Sequence, residues 1–127
     1  MLQMKAAFSG FSVDDLAKAK AFYSDTLGLT VEDMGGMGVQ LHLPNGGEVF
    51  VYDKKDHQPA TYTMLNFVVD DVEKAVDSLV EQGITFEKYD GMGQDDKGIA
   101  RGKDKDMGPD IAWFKDPAGN ILAVLEQ

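Results

Sequence analysis

The sequence predicts an α+β fold built from two βαβββ modules, and three observations lead to it. Ser12-Val-Asp-Asp-Leu-Ala-Lys-Ala and Val68-Val-Asp-Asp-Val-Glu-Lys-Ala are near copies 56 positions apart. Each follows a short apolar run and opens a helical pattern. Pro44-Asn-Gly-Gly and Pro117-Ala-Gly-Asn repeat in the same way, each between two strand-like runs. Finally, each helical pattern stops at a glycine, Gly28 or Gly83, suited to a left-handed helix cap.

Element by element, a strand is expected around 5–11, then a helix from Asp14 or Asp15 to Leu27. Asp14 is placed to cap it. Leu16, Ala19, Phe22, Tyr23 and Leu27 form its apolar face. Strands are expected at 29–34, 37–43 and 47–53, the last two joined by the glycine-containing turn. The second module repeats the order: strand 63–69, helix 71–82 with Val72, Ala75, Val76 and Leu79 inward, then strands 84–89, 110–115 and 120–126. Modules 1–55 and 62–127 make one domain. The turns are offset by 73 positions against 56 for the helix starts, so about 17 extra residues lie within 89–109. A loop of that length suits a lid, and Met92, Ile99 and Met107 are its apolar points.

The chain has 127 residues, 43% of them hydrophobic, which suits one globular domain. Without cysteine it has no disulfide, thiolate metal site or cysteine nucleophile. The formal net charge of −10 disfavours nucleic acid and anionic membranes and favours a cationic ligand. No apolar run is long enough to span a bilayer, and the first residues do not resemble a signal peptide. A soluble cytoplasmic protein is expected.

Several motifs carry a family resemblance: Ala21-Phe22-Tyr23 in the first helix, Leu27-Gly28-Leu29 after it, and Phe114-Lys-Asp116-Pro117-Ala-Gly119-Asn120 before the last strand. With the duplicated βαβββ order, the chain resembles the vicinal oxygen chelate superfamily, which includes glyoxalases, extradiol dioxygenases, fosfomycin-modifying enzymes and bleomycin-resistance proteins. The resemblance implies eight strands curled into a cup around a pocket. It also implies metal ligands on the first and fourth strands of each module, positions that here hold Phe8, Phe50, Met64 and Ala123. None of these side chains suits a hard or borderline divalent ion. No metal or other cofactor is therefore expected.

Strand alternation places Phe8, Phe50, Tyr52, Met64, Ala123 and Leu125 on one inner face, with Asn66 beside Met64. The resemblance adds Ile111 and Trp113. Phe8, Phe50, Tyr52, Met64, Asn66, Ile111 and Trp113, with Met92 and Met107 as lid, are the expected ligand-binding set. Glu48 shares the face of Phe50, and Glu48 with His42 is the candidate acid–base pair; neither catalytic role is assigned. His57 falls in the connection between modules, where solvent is expected around it.

The function expected is metal-independent binding of an apolar or cationic aromatic small molecule, by sequestration or sensing, as a homodimer. The alternatives are a glyoxalase-type lyase or isomerase with relocated metal or acid–base residues, and a filled module without ligand.

Overall fold

The computed structural model describes residues Met1 to Gln127, which divide into two compact units, 1–59 and 60–127. The first comprises β1 (Ser9–Val13), α1 (Leu16–Ala21), β2 (Thr30–Asp33), β3 (Val39–His42) and β4 (Glu48–Asp53). The second comprises β5 (Thr63–Val68), α2 (Val72–Glu81), β6 (Ala100–Arg101), β7 (Asp110–Lys115) and β8 (Ile121–Glu126). The α+β order βαβββ thus occurs twice. The eight strands form two mixed sheets of four, ordered β1-β4-β3-β2 and β5-β8-β7-β6. In each, the first strand runs parallel to the fourth and the other pairs are antiparallel.

The repeated Asp-Asp motif works through its second member. Asp15 and Asp71 are the N-caps, each carboxylate accepting from the backbone N–H three residues on, at 3.1 Å. The cap therefore sits one residue later than Asp14. The first helix also changes character. After Ala21 the chain widens into a π-turn over Phe22–Thr26, with the Leu27 N–H reaching the Phe22 carbonyl at 3.0 Å. Ser24 donates its hydroxyl to the Lys20 carbonyl at 2.8 Å, competing with the α-ladder there. The widening turns two consecutive rings inward. Phe22 and Tyr23 are both buried and meet edge to face at 5.2 Å, and Tyr23 also contacts Phe11 at 5.8 Å. Burying a ring of this size stabilises the unit by about 2–3 kcal/mol.

Three strand expectations are corrected. The first strand begins at Ser9, not Lys5: its pairing with β4 starts at Ser9 and Val49, and residues 5–7 fall beyond the start of β4 at Glu48. Segment 84–89 is irregular, although the Glu87 N–H bonds the Trp113 carbonyl at 2.8 Å. The Gln94 side chain occupies the groups a ladder would use: its amide donates to the Glu87 carbonyl (2.8 Å) and its oxygen accepts from the Tyr89 N–H (2.7 Å). The second strand of the second unit is instead β6, inside the stretch expected to be a loop.

That stretch is tied down by charge. Lys97 bonds Asp77 of α2 at 2.8 Å, and Arg101 reaches Glu73 of α2 and Asp95, both at 3.1 Å. Burial alone would raise the Asp95 pKa. The N–H groups of Ile99 and Lys97 and the Arg101 guanidinium outweigh it and hold the carboxyl below its usual range. No helix is long and apolar enough to cross a membrane.

Candidate functional site

Each sheet has one face packed in the apolar core and one face free of helix. In the first unit Phe11, Val13, Val39, Leu41, Val49 and Val51 are buried and alternate with the residues of the other face. That other face carries Ser12, Glu32, Gln40, His42, Glu48, Phe50 and Tyr52, placed side by side by the strand register. Phe50 and Tyr52, two apart on β4, stack nearly parallel, with centroids 6.0 Å apart and planes inclined by 17°. Phe50 is half-buried and Tyr52 exposed.

Beside the aromatic pair lies a polar row. His42 stands opposite Glu48 in the register. Its Nε2 lies 2.9 Å from Glu32 Oε1 and its Nδ1 4.0 Å from Glu48 Oε1. Gln40 donates to the other oxygen of Glu48. The two sequence candidates therefore stand together, and Glu32 and Gln40 join them. Cross-strand alternation from His42 and Glu48 points to both, given the β2–β3–β4 register.

His57 is half-buried rather than solvated. Its Nδ1 lies 2.6 Å from the Ser12 hydroxyl, which folds the segment after β4 back onto β1. Phe8 is 70% exposed and lies one residue before β1.

In the second unit the core face carries Ala112, Phe114, Leu122 and Val124, with Phe86 on Phe114 at 5.5 Å. The opposite face carries Asn66, Ile111, Trp113, Ala123 and Leu125, aligned by Asn66↔Ala123, Trp113↔Ala123 and Ile111↔Leu125. Met64 sits at an irregularity between Thr63 and Leu65, where β5 holds one residue more than β8. Trp113 and Ala123 are buried with Ala100, and Tyr89, Ile111 and Ile121 pack on them. Tyr89 meets Trp113 edge to face at 5.5 Å. Asn66 is exposed. Met92 and Met107 are 44% and 78% exposed and lie outside this cluster. Tyr89 was not legible in the sequence, because it opens the insertion and has no counterpart in the first unit.

The side chains at the expected ligand positions do not suit a divalent ion. Phe50 and Ala123 occupy strand positions expected of ligands and offer no donor, and no three His, Asp or Glu side chains converge on a possible metal position.

The model of the Glyoxalase/Bleomycin resistance protein/Dioxygenase superfamily matches residues 7–124. The chain belongs to this superfamily. Solved structures share its fold. A glyoxalase family protein from Bacillus anthracis is 18% identical, covering 100% of this chain and 99% of that one, with a TM-score of 0.68. TnmS3, an antibiotic-binding protein from Streptomyces sp. CB03234, is 23% identical, covers 98% of both chains and has a TM-score of 0.63. The fosfomycin resistance protein FosX from Listeria monocytogenes is 12% identical, with 99% and 95% covered and a TM-score of 0.68. No curated protein sequence matches the chain.

Proposed function

We propose that this superfamily member is a metal-independent, homodimeric binding protein for a small cationic aromatic molecule, which it sequesters or senses in the cytoplasm. The observation that carries the reading is the Phe50–Tyr52 stack on a helix-free sheet face, with Glu48 on the same strand and Glu32 two strands away. Parallel rings present a flat apolar surface to a third ring, and aromatic faces with nearby carboxylates attract cations. The net charge of −10 acts in the same direction at longer range. Non-ligating side chains at Phe50, Met64 and Ala123 support metal independence, and the antibiotic-binding neighbour TnmS3 supports the class of function.

The test is a thermal-shift series with cationic, neutral and anionic aromatic probes of equal size, on wild type and on F50A/Y52A. A cationic probe at a hundred times its Kd stabilises wild type by about 2.7 kcal/mol, and the double variant loses that shift. Equal shifts with anionic probes, or none with any, would overturn the reading. Native mass spectrometry reads the dimer and any bound metal in the same preparation.

A second reading rests on one contact. Glu32 at 2.9 Å from His42 Nε2 orients an imidazole as a general base is oriented. If the chain is an acid–base enzyme, H42A removes turnover while the Phe50–Tyr52 stack still binds the aromatic probes.

A further inference from the structure

One polar atom in the second unit is unaccounted for by the fold. The Tyr89 hydroxyl is buried and has no hydrogen-bond partner. The ring leans edge-on against Trp113 and packs on the cluster that Ala100, Ile111, Ile121 and Ala123 complete, with the Glu87–Lys115 ion pair acting on the phenol by charge. A buried hydroxyl left unbonded costs about 1–3 kcal/mol, so a structure that keeps one needs a reason. Packing is not that reason, because phenylalanine would supply the same ring without the cost.

Nor is the residue forced into place by a loose backbone. The Tyr89 N–H is held by Gln94 Oε1 at 2.7 Å, and Gln94 Nε2 is fixed in turn by the Glu87 and Gly98 carbonyls at 2.8 and 2.7 Å. Only the side-chain torsions remain free, and the residue as a whole is half-exposed. Burial, and after it the Glu87 carboxylate, raises the phenol pKa against the opposing pull of Lys115, so the group remains a proton donor at neutral pH.

We propose that Tyr89 is a ligand-binding residue whose hydroxyl donates to an oxygen acceptor, a carbonyl or ether, on an aromatic ligand seated against Trp113. This goes beyond the reading argued from the Phe50–Tyr52 face and concerns the second unit alone: a ligand there carries an acceptor that the buried hydroxyl selects.

The experiment uses two isosteric probes, 4-acetyl-N,N,N-trimethylanilinium and 4-isopropenyl-N,N,N-trimethylanilinium, which differ in C=O against C=CH2. Each is titrated into the full-length wild type and Y89F by calorimetry and by the emission of Trp113, the chain's single tryptophan. Wild type should prefer the acetyl probe by about five- to tenfold, one neutral hydrogen bond. Y89F should lose the preference, bind the isopropenyl probe as wild type does, and melt at or above the wild-type temperature. Equal binding of both probes to wild type, or a preference surviving in Y89F, overturns the inference and leaves the binding reading standing. A melting point several degrees lower in Y89F also overturns it, because the hydroxyl then has a partner in the free protein. If neither probe binds wild type, the inference is overturned, and the F50A/Y52A series decides the reading by itself.

Discussion

Replacing Asp116 by alanine should cost far more than any change in the corresponding turn of the first unit. Asp116 is 4% exposed, and its carboxylate accepts three bonds at 2.9 Å, from the Ala118 N–H, the Asn120 N–H and the Asn120 side-chain amide. Asn120 is 2% exposed, so water is poorly placed to replace what it loses. Bonds to a charged group contribute about 1.5–3 kcal/mol each, and three sharing one carboxylate are not additive, so about 3–5 kcal/mol is expected. At about 2.1 cal/mol/K per residue of unfolding entropy, that lowers Tm by roughly 11–19 °C. D116N keeps the oxygen that serves the two backbone donors and should cost about 1–2 kcal/mol. In the first unit Asn45 accepts only a 3.3 Å bond from the Gly47 N–H, in solvent, and N45A should stay within about 0.5 kcal/mol of wild type. Urea melts followed by circular dichroism and by Trp113 emission read all three variants, since Trp113 lies on the strand this turn joins to β8. D116A within about 1 kcal/mol of wild type, or N45A costing as much as D116A, would refute the reasoning.

Other perturbations give equally direct readings. A Cβ at Gly38 (φ +151°) would sit 2.3 Å from the Val51 carbonyl oxygen and 2.9 Å from the Phe50 ring; G38A should cost about 2–3 kcal/mol and weaken aromatic probe binding by displacing Phe50. Asp95 lies below its usual pKa for the reasons given above, and Glu126 does so because Lys103 and then the Val72 N–H bond it. Both bind fewer protons folded than unfolded. Their stabilisation is therefore intact above the ordinary carboxyl pKa of about 4 and is lost as pH falls through the lower folded values; D95N should flatten the acid limb of Tm against pH. R101A frees Glu73, Asp95 and the nearly buried Asp110 side chain of their common cation. It should cost about 1–2 kcal/mol, less at high salt, and speed amide exchange at Ile99 and its neighbours.

Most of the fold was legible because it rests on local chemistry written twice. The Asp-Asp pairs, the glycine stops and the Pro-containing turns each fix a backbone feature within four residues, and their repetition gave the topology. The face containing Phe50, Tyr52, Glu48 and His42 followed from alternation once β4 was placed. What was illegible depended on a distant partner or on one substituted contact. Lys5–Phe8 reads as strand, but β4 ends its pairing at Val49. Residues 84–89 read as strand, but one glutamine 5–10 positions on takes the backbone groups of Glu87 and Tyr89. His57 reads as linker, but a single bond to Ser12 draws it in. Periodicity carries no trace of any of these.

The two copies agree where the backbone must be shaped and differ where a ligand would touch. Both keep the aspartate cap, the parallel pairing of first and fourth strands, and a tight turn with a glycine at positive φ, Gly46 or Gly119. Their helix-free faces have little in common. One sets a solvent-reaching aromatic stack beside a Glu–His–Glu row; the other sets a buried tryptophan among alanines, with a tyrosine from the insertion leaning on it. A face kept only to fill space would tolerate any apolar side chain, and neither a charged row nor an unbonded buried hydroxyl serves that purpose. Each face makes its own demand on a ligand: the first offers a flat surface and negative charge, the second a ring and a single donor. The substitutions F50A/Y52A and Y89F test the two separately, one removing the cation preference of the first unit's face and the other the acceptor discrimination of the second unit's.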